Sequence, residues 1–317
     1  MIDILGDIYV GTEGTCRIPT YGYDPYPDKV KIVPATLRLT GANDTTIYPG
    51  TYGRTLPHVL IDKDSDVVEV KANFANTTGG FVCAFDGLTL RSGTLNLESR
   101  MDSNGVLQAP WLDIRSHFTH EGGTLDAHDS CIRLFDDRNY ALKKYGRNYV
   151  PLTAIVNDPN GVNILLFNQL DLYLWDNCAL NIEGVVATQD LLVENGYINK
   201  VDDAEKVGII KVLGNIEEGK EPHGLLQGTG TILFDGGTSK QHGINVSRIV
   251  YGGSVLRLPN VVVADGNIVT VNALPGGGAS FQDFTIGTDA VYDLGGYNLS
   301  IAKTFSNEGT LRLQGKE

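Results

Sequence analysis

The C-terminal segment, from Ile249 to Glu317, most constrains what this chain can fold into. In this segment short runs of alternating apolar and polar residues are interrupted every few positions by Gly, Asn or Asp. No apolar run reaches the roughly 10–12 residues that a helix requires, and a period of two prevails wherever a period is visible. The segment therefore predicts many short β-strands joined by tight turns.

One phrase of this segment recurs upstream. Residues 305–315 read FSNEGTLRLQG, and residues 118–128 read FTHEGGTLDAH. Shorter copies of its core are SGTLNL at 92–97, GTGTILF at 228–234 and GGSVLRL at 252–258. Irregularly spaced copies of one strand-and-turn unit indicate a β-solenoid, because each coil buries its apolar face only when a neighbouring coil stacks on it. We expect these phrases to lie on top of one another as successive layers.

The same phrases resemble the degenerate repeats of large bacterial surface proteins and of some phage appendage proteins, which run NLTI…GATLDLGGYNLTVTGTFTNNGTLTL. The stretches that carry the resemblance are FDGLTLRSGTLNL, GGTLDAHDSCIRLF and YDLGGYNLSIAKTFSNEGTLRLQG. It covers residues 81–137 and the chain from residue 224 to the end. The resemblance implies a parallel β-helix with a role outside the cell or in a virion.

The fold class expected from these patterns is all-β, a right-handed parallel β-helix (β-solenoid) with an irregular N-terminal cap and loop insertions. Residues 1–80 are assigned to the cap and first coils, and 81–137 to regular coils. Residues 138–223 are assigned to coils carrying a basic, aromatic loop and an acidic loop, and 224–317 to the C-terminal coils. The core-facing residues predicted for the first regular block are Leu88, Leu90, Leu95, Leu97, Val106, Leu107, Leu112, Ile114, Phe118, Leu125, Ile132 and Leu134.

Composition narrows the functional classes. The net charge is −13, which argues against nucleic-acid binding, because neutralising phosphates requires clustered Lys and Arg. The sequence contains no apolar run of about 18 residues, so no membrane-spanning helix is expected. It also lacks a signal-peptide pattern. Either a signal has been removed or the protein is a particle component assembled inside the host, and the expected location is extracellular, on a cell surface or in a virion.

The four cysteines, Cys16, Cys83, Cys131 and Cys178, are far apart and form no CxxC pair. A zinc site built on cysteines is therefore not expected. Stacked coils can bring distant cysteines together, so a disulfide between two of them is one interpretation. Isolated cysteines of this kind are more often buried small residues.

A possible calcium site is formed by Asp62, Asp64 and Asp66, in the sequence IDKDSDVVEV. Three carboxylates at alternate positions can converge on Ca²⁺ when the backbone loops. The glycine and distal glutamate of an EF-hand loop are missing. In an extended strand the three side chains would instead line one face and remain solvated. Apart from this possible Ca²⁺, no cofactor is expected.

A second candidate group consists of His117, His120, Asp126, His128 and Asp129. His and Asp together can bind a transition metal or perform acid–base chemistry. The equivalent positions in the copy at Phe305 are polar but contain no histidine. The favoured interpretation is that these residues are solvated turn residues.

Two tyrosine-rich stretches interrupt the pattern. Residues 136–150, DDRNYALKKYGRNYV, interleave basic and aromatic residues and predict a loop, which either binds a partner subunit or an anionic glycan or is a plain insertion. Residues 20–28, TYGYDPYPD, suit either a sugar-stacking platform or a packed irregular cap, and we favour the cap.

Enzymes of the pectin-hydrolase type of β-helix carry Asp residues on adjacent coils, a Gly-His-Gly and an Arg-x-Lys. Asp136, Asp137 and the QHGINV segment at 241–246 superficially resemble its catalytic residues, but the spacing between them is several times too long, and Arg248 is not followed by a lysine. No GxSxG, P-loop or HExxH motif occurs. We therefore expect no enzyme and no catalytic residues.

The function predicted from the sequence is that of a non-catalytic structural or adhesive β-solenoid in an extracellular assembly: a surface layer, a filament or a phage appendage. The alternative is a tailspike-like polysaccharide depolymerase or a glycan-binding module. The chain ends on a repeat phrase without a polar cap, so the expected partners are other copies or other structural subunits, and glycans are possible.

Overall fold

The structure, a computed structural model, describes residues 2–5, 8–9, 36–48, 55–71, 82–98, 100–101, 105, 107–108, 111–126, 131–136, 152–156, 166–174, 179–199, 208–218, 225–237, 239–247 and 255–315. Every regular element within these residues is a β-strand. The all-β class predicted from the sequence is confirmed for this part of the chain.

The strands up to residue 136 are β1 (Ile2–Ile4), β2 (Ile8–Tyr9), β3 (Thr36–Leu39), β4 (Thr45–Tyr48), β5 (Thr55–Leu56), β6 (His58–Lys71), β7 (Val82–Glu98), β8 (Arg100–Met101), β9 (Leu107–Gln108), β10 (Trp111–His120), β11 (Thr124–Asp126) and β12 (Cys131–Asp136).

From residue 152 onward the strands are β13 (Leu152–Val156), β14 (Leu166–Leu174), β15 (Ala179–Ile198), β16 (Gly208–Val212), β17 (Ile216–Glu218), β18 (Leu225–Gly228), β19 (Thr231–Phe234), β20 (Gln241–Asn245), β21 (Leu256–Leu258), β22 (Asn260–Val263), β23 (Ile268–Ala273), β24 (Ala279–Phe281), β25 (Phe284–Ile286), β26 (Val291–Asp293), β27 (Leu299–Ile301), β28 (Phe305–Asn307) and β29 (Thr310–Arg312).

The chain forms two compact units. The N-terminal unit comprises residues 1–135 and 164–168, and the C-terminal unit comprises 136–163 and 169–317. The finer division into four segments stays a prediction.

In the described part of the N-terminal unit, parallel strands pair in three ladders. The long strands β6 and β7 each contribute to more than one ladder, and shifts in register near Asp62 mark the irregular stretch of β6. Residues in register across the layers are Leu37, Val59, Leu88 and Phe118 in the first ladder; Ile47, Val70 and Leu97 in the second; and Leu56, Phe85, Ile114 and Leu134 in the third. The short pair β8–β9 is antiparallel.

In the C-terminal unit, the long strand β15 pairs in succession with β16, β17 and β18. From there each strand pairs in parallel with the third strand that follows it. One ladder runs through β16, β19, β22, β25 and β28, another through β17, β20, β23, β26 and β29, and a third through β18, β21, β24 and β27. Parallel strands paired in this way are consistent with a β-solenoid.

Alternation of apolar and polar residues decides which side of each strand is buried. In β22 and β19 every second side chain is buried, because successive residues of a strand point to opposite faces. Ten of the twelve predicted core residues of the first block are buried, with exposures of 7% or less: Leu88, Leu90, Leu95, Leu97, Leu112, Ile114, Phe118, Leu125, Ile132 and Leu134. That prediction is confirmed; the side chains of Val106 and Leu107 lie outside the described residues.

The position before Thr-Leu in the repeated phrase requires glycine for a steric reason. A Cβ at Gly123 would collide with the side chain of Leu90 and the carbonyl of Gly93. A Cβ at Gly309 would collide with the backbone carbonyls of Ala290 and Gly287. The phrase thus marks a place where the chain enters a strand in close contact with the layer beneath it.

The copies of the phrase do not all occupy one ladder. Thr124 and Leu125 lie directly over Thr94 and Leu95, as the sequence predicts for successive layers. The copies at 228–234, 252–258 and 305–315 instead pair with other sequences in different ladders of the C-terminal unit. The chain passes close to the layer beneath it in more than one ladder. Copies of the same glycine-containing phrase therefore occur in different ladders.

Candidate functional site

The three aspartates predicted to bind calcium lie on the extended strand β6. Asp62 is half-buried and accepts hydrogen bonds from Arg38 Nε at 3.0 Å and Nη2 at 2.7 Å, while Arg91 Nη1 lies 3.4 Å from the same carboxylate oxygen. Asp64 is exposed, and the side chain of Asp66 lies outside the described residues. Asp62 is therefore already neutralised by two guanidinium groups.

Lys63, between the first two aspartates, explains part of this geometry. Its side chain is fully buried and its ammonium group donates hydrogen bonds to the backbone carbonyls of Asn43 and, at 3.4 Å, Thr40. Because neighbouring side chains of a strand alternate, burying Lys63 directs Asp62 and Asp64 to the opposite face. Lys63 ties β6 to the turn of the preceding layer.

Charges of alternating sign continue across successive layers beside Asp62. Asp3 lies 4.0 Å from Arg38, Arg38 contacts Asp62, Arg91 contacts Asp62, and Arg91 Nε donates to Glu121 at 2.6 Å. We call these five residues the charge row. A hydrogen bond from Arg38, opposed by burial and reinforced by the charges of Arg38 and Arg91, lowers the pKa of Asp62. The row holds one layer to the next by ion pairs.

Within the described part of the chain, no group of three or more His, Cys, Asp or Glu side chains is close enough to hold a metal ion. The calcium site at Asp62, Asp64 and Asp66 thus stays a prediction without a described coordination shell.

A second ion pair is buried. Asp113 on β10 is 1% exposed and accepts two hydrogen bonds of 2.8 Å from Nε and Nη2 of Arg133 on β12. The two residues are in register across adjacent layers. This fork geometry is the strongest form of a carboxylate–guanidinium contact.

The residues of the predicted histidine and aspartate group near residue 120 differ in their exposure to solvent. His117 is exposed, in agreement with the expected solvated position. The same expectation is wrong for His120, which is 1% exposed. Its Nε2 lies 2.6 Å from the carbonyl oxygen of Gly123, so the buried imidazole stabilises the turn between β10 and β11. Asp126 is exposed on β11, and His128 and Asp129 lie outside the described residues.

A histidine that the sequence did not single out, His58, lies two layers from His117. His58 of β6, Gly87 of β7 and His117 of β10 lie at corresponding positions of three successive layers. A Cβ at Gly87 would collide with Nδ1 of His58 and approach the carbonyl of His117 to 3.2 Å. The ring of His58 therefore lies over Gly87. We call His58, Gly87 and His117 the histidine row.

The surroundings of His58 favour its neutral form. Nε2 of the ring lies 2.9 Å from Oγ1 of Thr89 on the adjacent strand. Burial lowers the pKa of His58, the negative charge of Asp86 raises it, and the charge of His117 lowers it, with a net decrease. A neutral imidazole is the form that acts as a base or as a metal ligand.

The first five residues of the QHGINV segment form β20, and the histidine is structural. His242 is 3% exposed, with Nδ1 2.7 Å from the carbonyl of Gly214 and Nε2 3.0 Å from Oδ1 of Asn267. Its ring packs edge-on against Phe234 at 5.4 Å. The side chain of Asp136 and all of Asp137 lie outside the described residues. His242 joins three segments of the core and is not open to a substrate.

Aspartates in turns, and Asp190 on β15, cap the next layer with their carboxylates. The Oδ1 atoms of Asp44, Asp190, Asp265 and Asp283 accept hydrogen bonds of 2.8–3.0 Å from the backbone N–H groups of Val67, Asn215, Thr288 and Thr304 respectively. Each bond crosses to a residue 21–25 positions later. Some of the many acidic residues of the chain therefore stabilise contacts between layers.

An amide ladder adds to these contacts. Asn245 Nδ2 donates to Oε1 of Glu217 at 2.7 Å, and Asn272 Nδ2 donates to Oδ1 of Asn245 at 3.0 Å. Asn245 thus links the layer of Glu217 to the layer of Asn272.

Other predictions fall on residues that the structure does not describe. These are the tyrosine-rich segment at 20–28 and residues 137–150 of the basic, aromatic loop. Of the cysteines, Cys131 is buried and forms no disulfide, as expected of an isolated small core residue.

Comparison of the chain with protein-family models, with curated proteins and with solved structures gives no match. In the described residues, no helix has the length and hydropathy needed to cross a membrane.

Proposed function

We propose that the chain is a right-handed parallel β-solenoid and that it serves as a non-catalytic structural or adhesive segment of an extracellular assembly. A bacterial surface layer, a filament or a phage appendage would suit such a segment. The partners would be further copies of the chain or other structural subunits. The repeat phrases and their resemblance to surface and appendage proteins support this assignment.

The observation that carries the proposal is the use of the polar side chains. The charge row, the Asp113–Arg133 pair, the turn carboxylates and the amide ladder all join one layer to the next. Each such bond adds to the backbone ladder that links the same layers. A stack cross-linked in this way resists local opening, which is what a load-bearing or protease-exposed segment requires.

Electron microscopy of the purified chain over a range of concentrations tests the proposal. We expect ordered filaments, lattices or discrete oligomers at high concentration. The same preparation is incubated with a panel of neutral and acidic bacterial polysaccharides, and no new reducing ends or unsaturated products are expected. Polysaccharide cleavage that increases with protein concentration would contradict the proposal in favour of a depolymerase.

A further inference from the structure

The buried imidazole of His242 lies between two oxygen atoms. Its Nδ1 lies 2.7 Å from the backbone carbonyl oxygen of Gly214 in the preceding layer, and its Nε2 lies 3.0 Å from Oδ1 of Asn267. A carbonyl oxygen only accepts hydrogen bonds, so Nδ1 must carry a proton to make the first contact. Whether Nε2 also carries a proton depends on which atom of the Asn267 amide faces it.

Three other contacts fix the orientation of the Asn267 amide. Its Nδ2 donates to the backbone carbonyl oxygens of Ala264 at 3.3 Å and Asp265 at 3.1 Å. Its Oδ1 accepts a hydrogen bond of 3.1 Å from the backbone N–H of Gly236. Exchanging the amide oxygen and nitrogen would set Oδ1 against two carbonyl oxygens and Nδ2 against an N–H donor, and the hydrogen-bond network decides such assignments. The atom that faces Nε2 of His242 is therefore an acceptor.

Only a doubly protonated ring satisfies both contacts. A neutral imidazole has one donor and one acceptor, whereas an imidazolium has two donors. A neutral His242 would set a nitrogen lone pair against an oxygen lone pair at one of its two contacts, in a side chain that is 3% exposed. Rotating the ring by half a turn would replace both hydrogen bonds by C–H contacts. A buried polar group that loses its partner costs stability, so the geometry favours the imidazolium.

The charged side chains around the ring are mostly carboxylates. Those on the segments that surround β20 in the described residues are Asp190 of β15, Lys211 of β16, Glu217 and Glu218 of β17, Asp235 and Lys240 between β19 and β20, and Asp265 between β22 and β23. Lys211 is bound to Asp235 at 2.9 Å, and Asp235 interacts electrostatically with His242. Because carboxylates outnumber ammonium groups here, the surroundings stabilise a positive charge on the ring.

We propose that His242 is a pH-sensitive joint between layers of the C-terminal unit. The ring carries two protons in the intact stack, and loss of one proton breaks its contact with Gly214 or Asn267 and loosens β20 from the adjacent layers. An unfolded chain releases a histidine proton near pH 6.5. Because the folded unit retains a proton that the unfolded chain gives up, the contribution of His242 to stability is present below about pH 6.5 and is lost as the pH rises.

Nuclear magnetic resonance of the chain labelled with ¹⁵N in its histidines tests the protonation state directly. The His242 ring is identified by its nuclear Overhauser contacts with Phe234, whose ring centroid lies 5.4 Å away. At pH 7 both ring nitrogens of His242 should carry a proton, whereas an ordinary exposed histidine is mainly neutral at this pH. A His242 ring with one unprotonated nitrogen at pH 7 would overturn the proposal. This measurement uses the wild type alone.

Amide hydrogen exchange tests whether the proton affects the stack. The N–H of Gly243 donates to Oδ1 of Asn215 at 2.7 Å, and the N–H of Ile268 donates to the carbonyl of Lys240 at 2.9 Å, so both report opening of the layers at β20. Their protection factors, corrected for the intrinsic exchange rate, should fall at least about threefold between pH 6.5 and pH 8.5, and a single proton limits the fall to about tenfold per pH unit.

Two variants assign the pH dependence to His242. His242→Gln has no group at this position that titrates between pH 6.5 and pH 8.5, so the protection of the two amides should not change with pH. His117→Gln removes an exposed imidazole from the N-terminal unit and is the matched control, which should keep the dependence of the wild type. Protection that is independent of pH in the wild type, or an unchanged pH dependence in His242→Gln, would contradict the proposal.

Discussion

The buried hydroxyl group of Tyr292 lowers the stability of the C-terminal core. The side chain is fully buried against Phe281 and Phe284, and its hydroxyl has no hydrogen-bond partner among the residues that the structure describes. Burial strongly raises the pKa of Tyr292, so the group is neutral at all ordinary pH values. A buried polar atom without a partner loses its hydration without compensation.

Tyr292→Phe should therefore stabilise the protein. Removing an unsatisfied buried hydroxyl is worth about 1–3 kcal/mol, reduced by the small void that is left. Urea unfolding monitored by circular dichroism measures the change. Tyr297→Phe is the control, because its partly exposed hydroxyl donates a weak hydrogen bond to the carbonyl of Asn272 and its loss should change stability little. A less stable Tyr292→Phe variant would show that the hydroxyl has a partner.

Asp235 gives a pH-dependent contribution. Burial by itself would raise its pKa, but Lys211 at 2.9 Å, the N–H of Gly237 and the positive charges of Lys211 and His242 together lower it below the ordinary value of 3.8. A carboxylate whose pKa is lowered by folding contributes stability above its unfolded pKa, and that contribution is lost as the pH falls through the folded pKa.

Asp235→Asn should thus be less stable than the wild type above about pH 4, and the difference should shrink as the pH falls below that value. Urea midpoints measured from pH 2.5 to pH 7 follow the change. Asp289→Asn makes the same change of charge at an exposed turn and is the matched control. A constant difference between Asp235→Asn and the wild type over this range would contradict the account.

At the scale of elements, the ladders depend on side chains that join adjacent strands. The Asp113–Arg133 pair between β10 and β12 is the most buried of the ion pairs in the described residues, whereas Arg91 of the charge row is exposed. Removing one member of a buried pair leaves an uncompensated charge, but an exposed pair contributes about 0–1 kcal/mol.

Arg133→Met should therefore cost about 3–5 kcal/mol in the free energy of unfolding, because Asp113 keeps a buried charge without its guanidinium partner. Asp113→Leu combined with Arg133→Met should recover much of that loss. Arg91→Met is the matched control and should cost much less, because its guanidinium group is exposed and its ion pairs are screened by solvent. Equal losses in Arg133→Met and Arg91→Met would contradict the burial argument.

The strands and the core residues could be predicted from sequence periodicity, because the alternation of apolar and polar residues is a local property. The core of the first block and the short C-terminal strands follow from it directly. The partners of Asp62, Asp113 and His58 do not, because they lie 20–59 residues away and depend on the register between coils of irregular length. His58 carries no local signal. Only the register between layers places its ring over Gly87.

For the whole molecule, each unit consists of strands stacked in parallel layers, with polar side chains joining the layers. The proposed structural role depends on that arrangement. An antiparallel sandwich built from the same strands would place Thr285 and Ser306 beside other residues and would remove the physical basis for a cross-linked stack.

Engineered disulfides test the order of the layers most directly. Val262, Thr285 and Ser306 are in register on three successive strands. Thr285→Cys/Ser306→Cys places the Cα atoms about 4.8 Å apart, within the range of a disulfide, whereas Val262→Cys/Ser306→Cys places them about 10 Å apart. Peptide mapping by mass spectrometry after mild oxidation should find the first disulfide and not the second. A Val262→Cys/Ser306→Cys disulfide, or failure of the Thr285→Cys/Ser306→Cys pair, would contradict the layered stack.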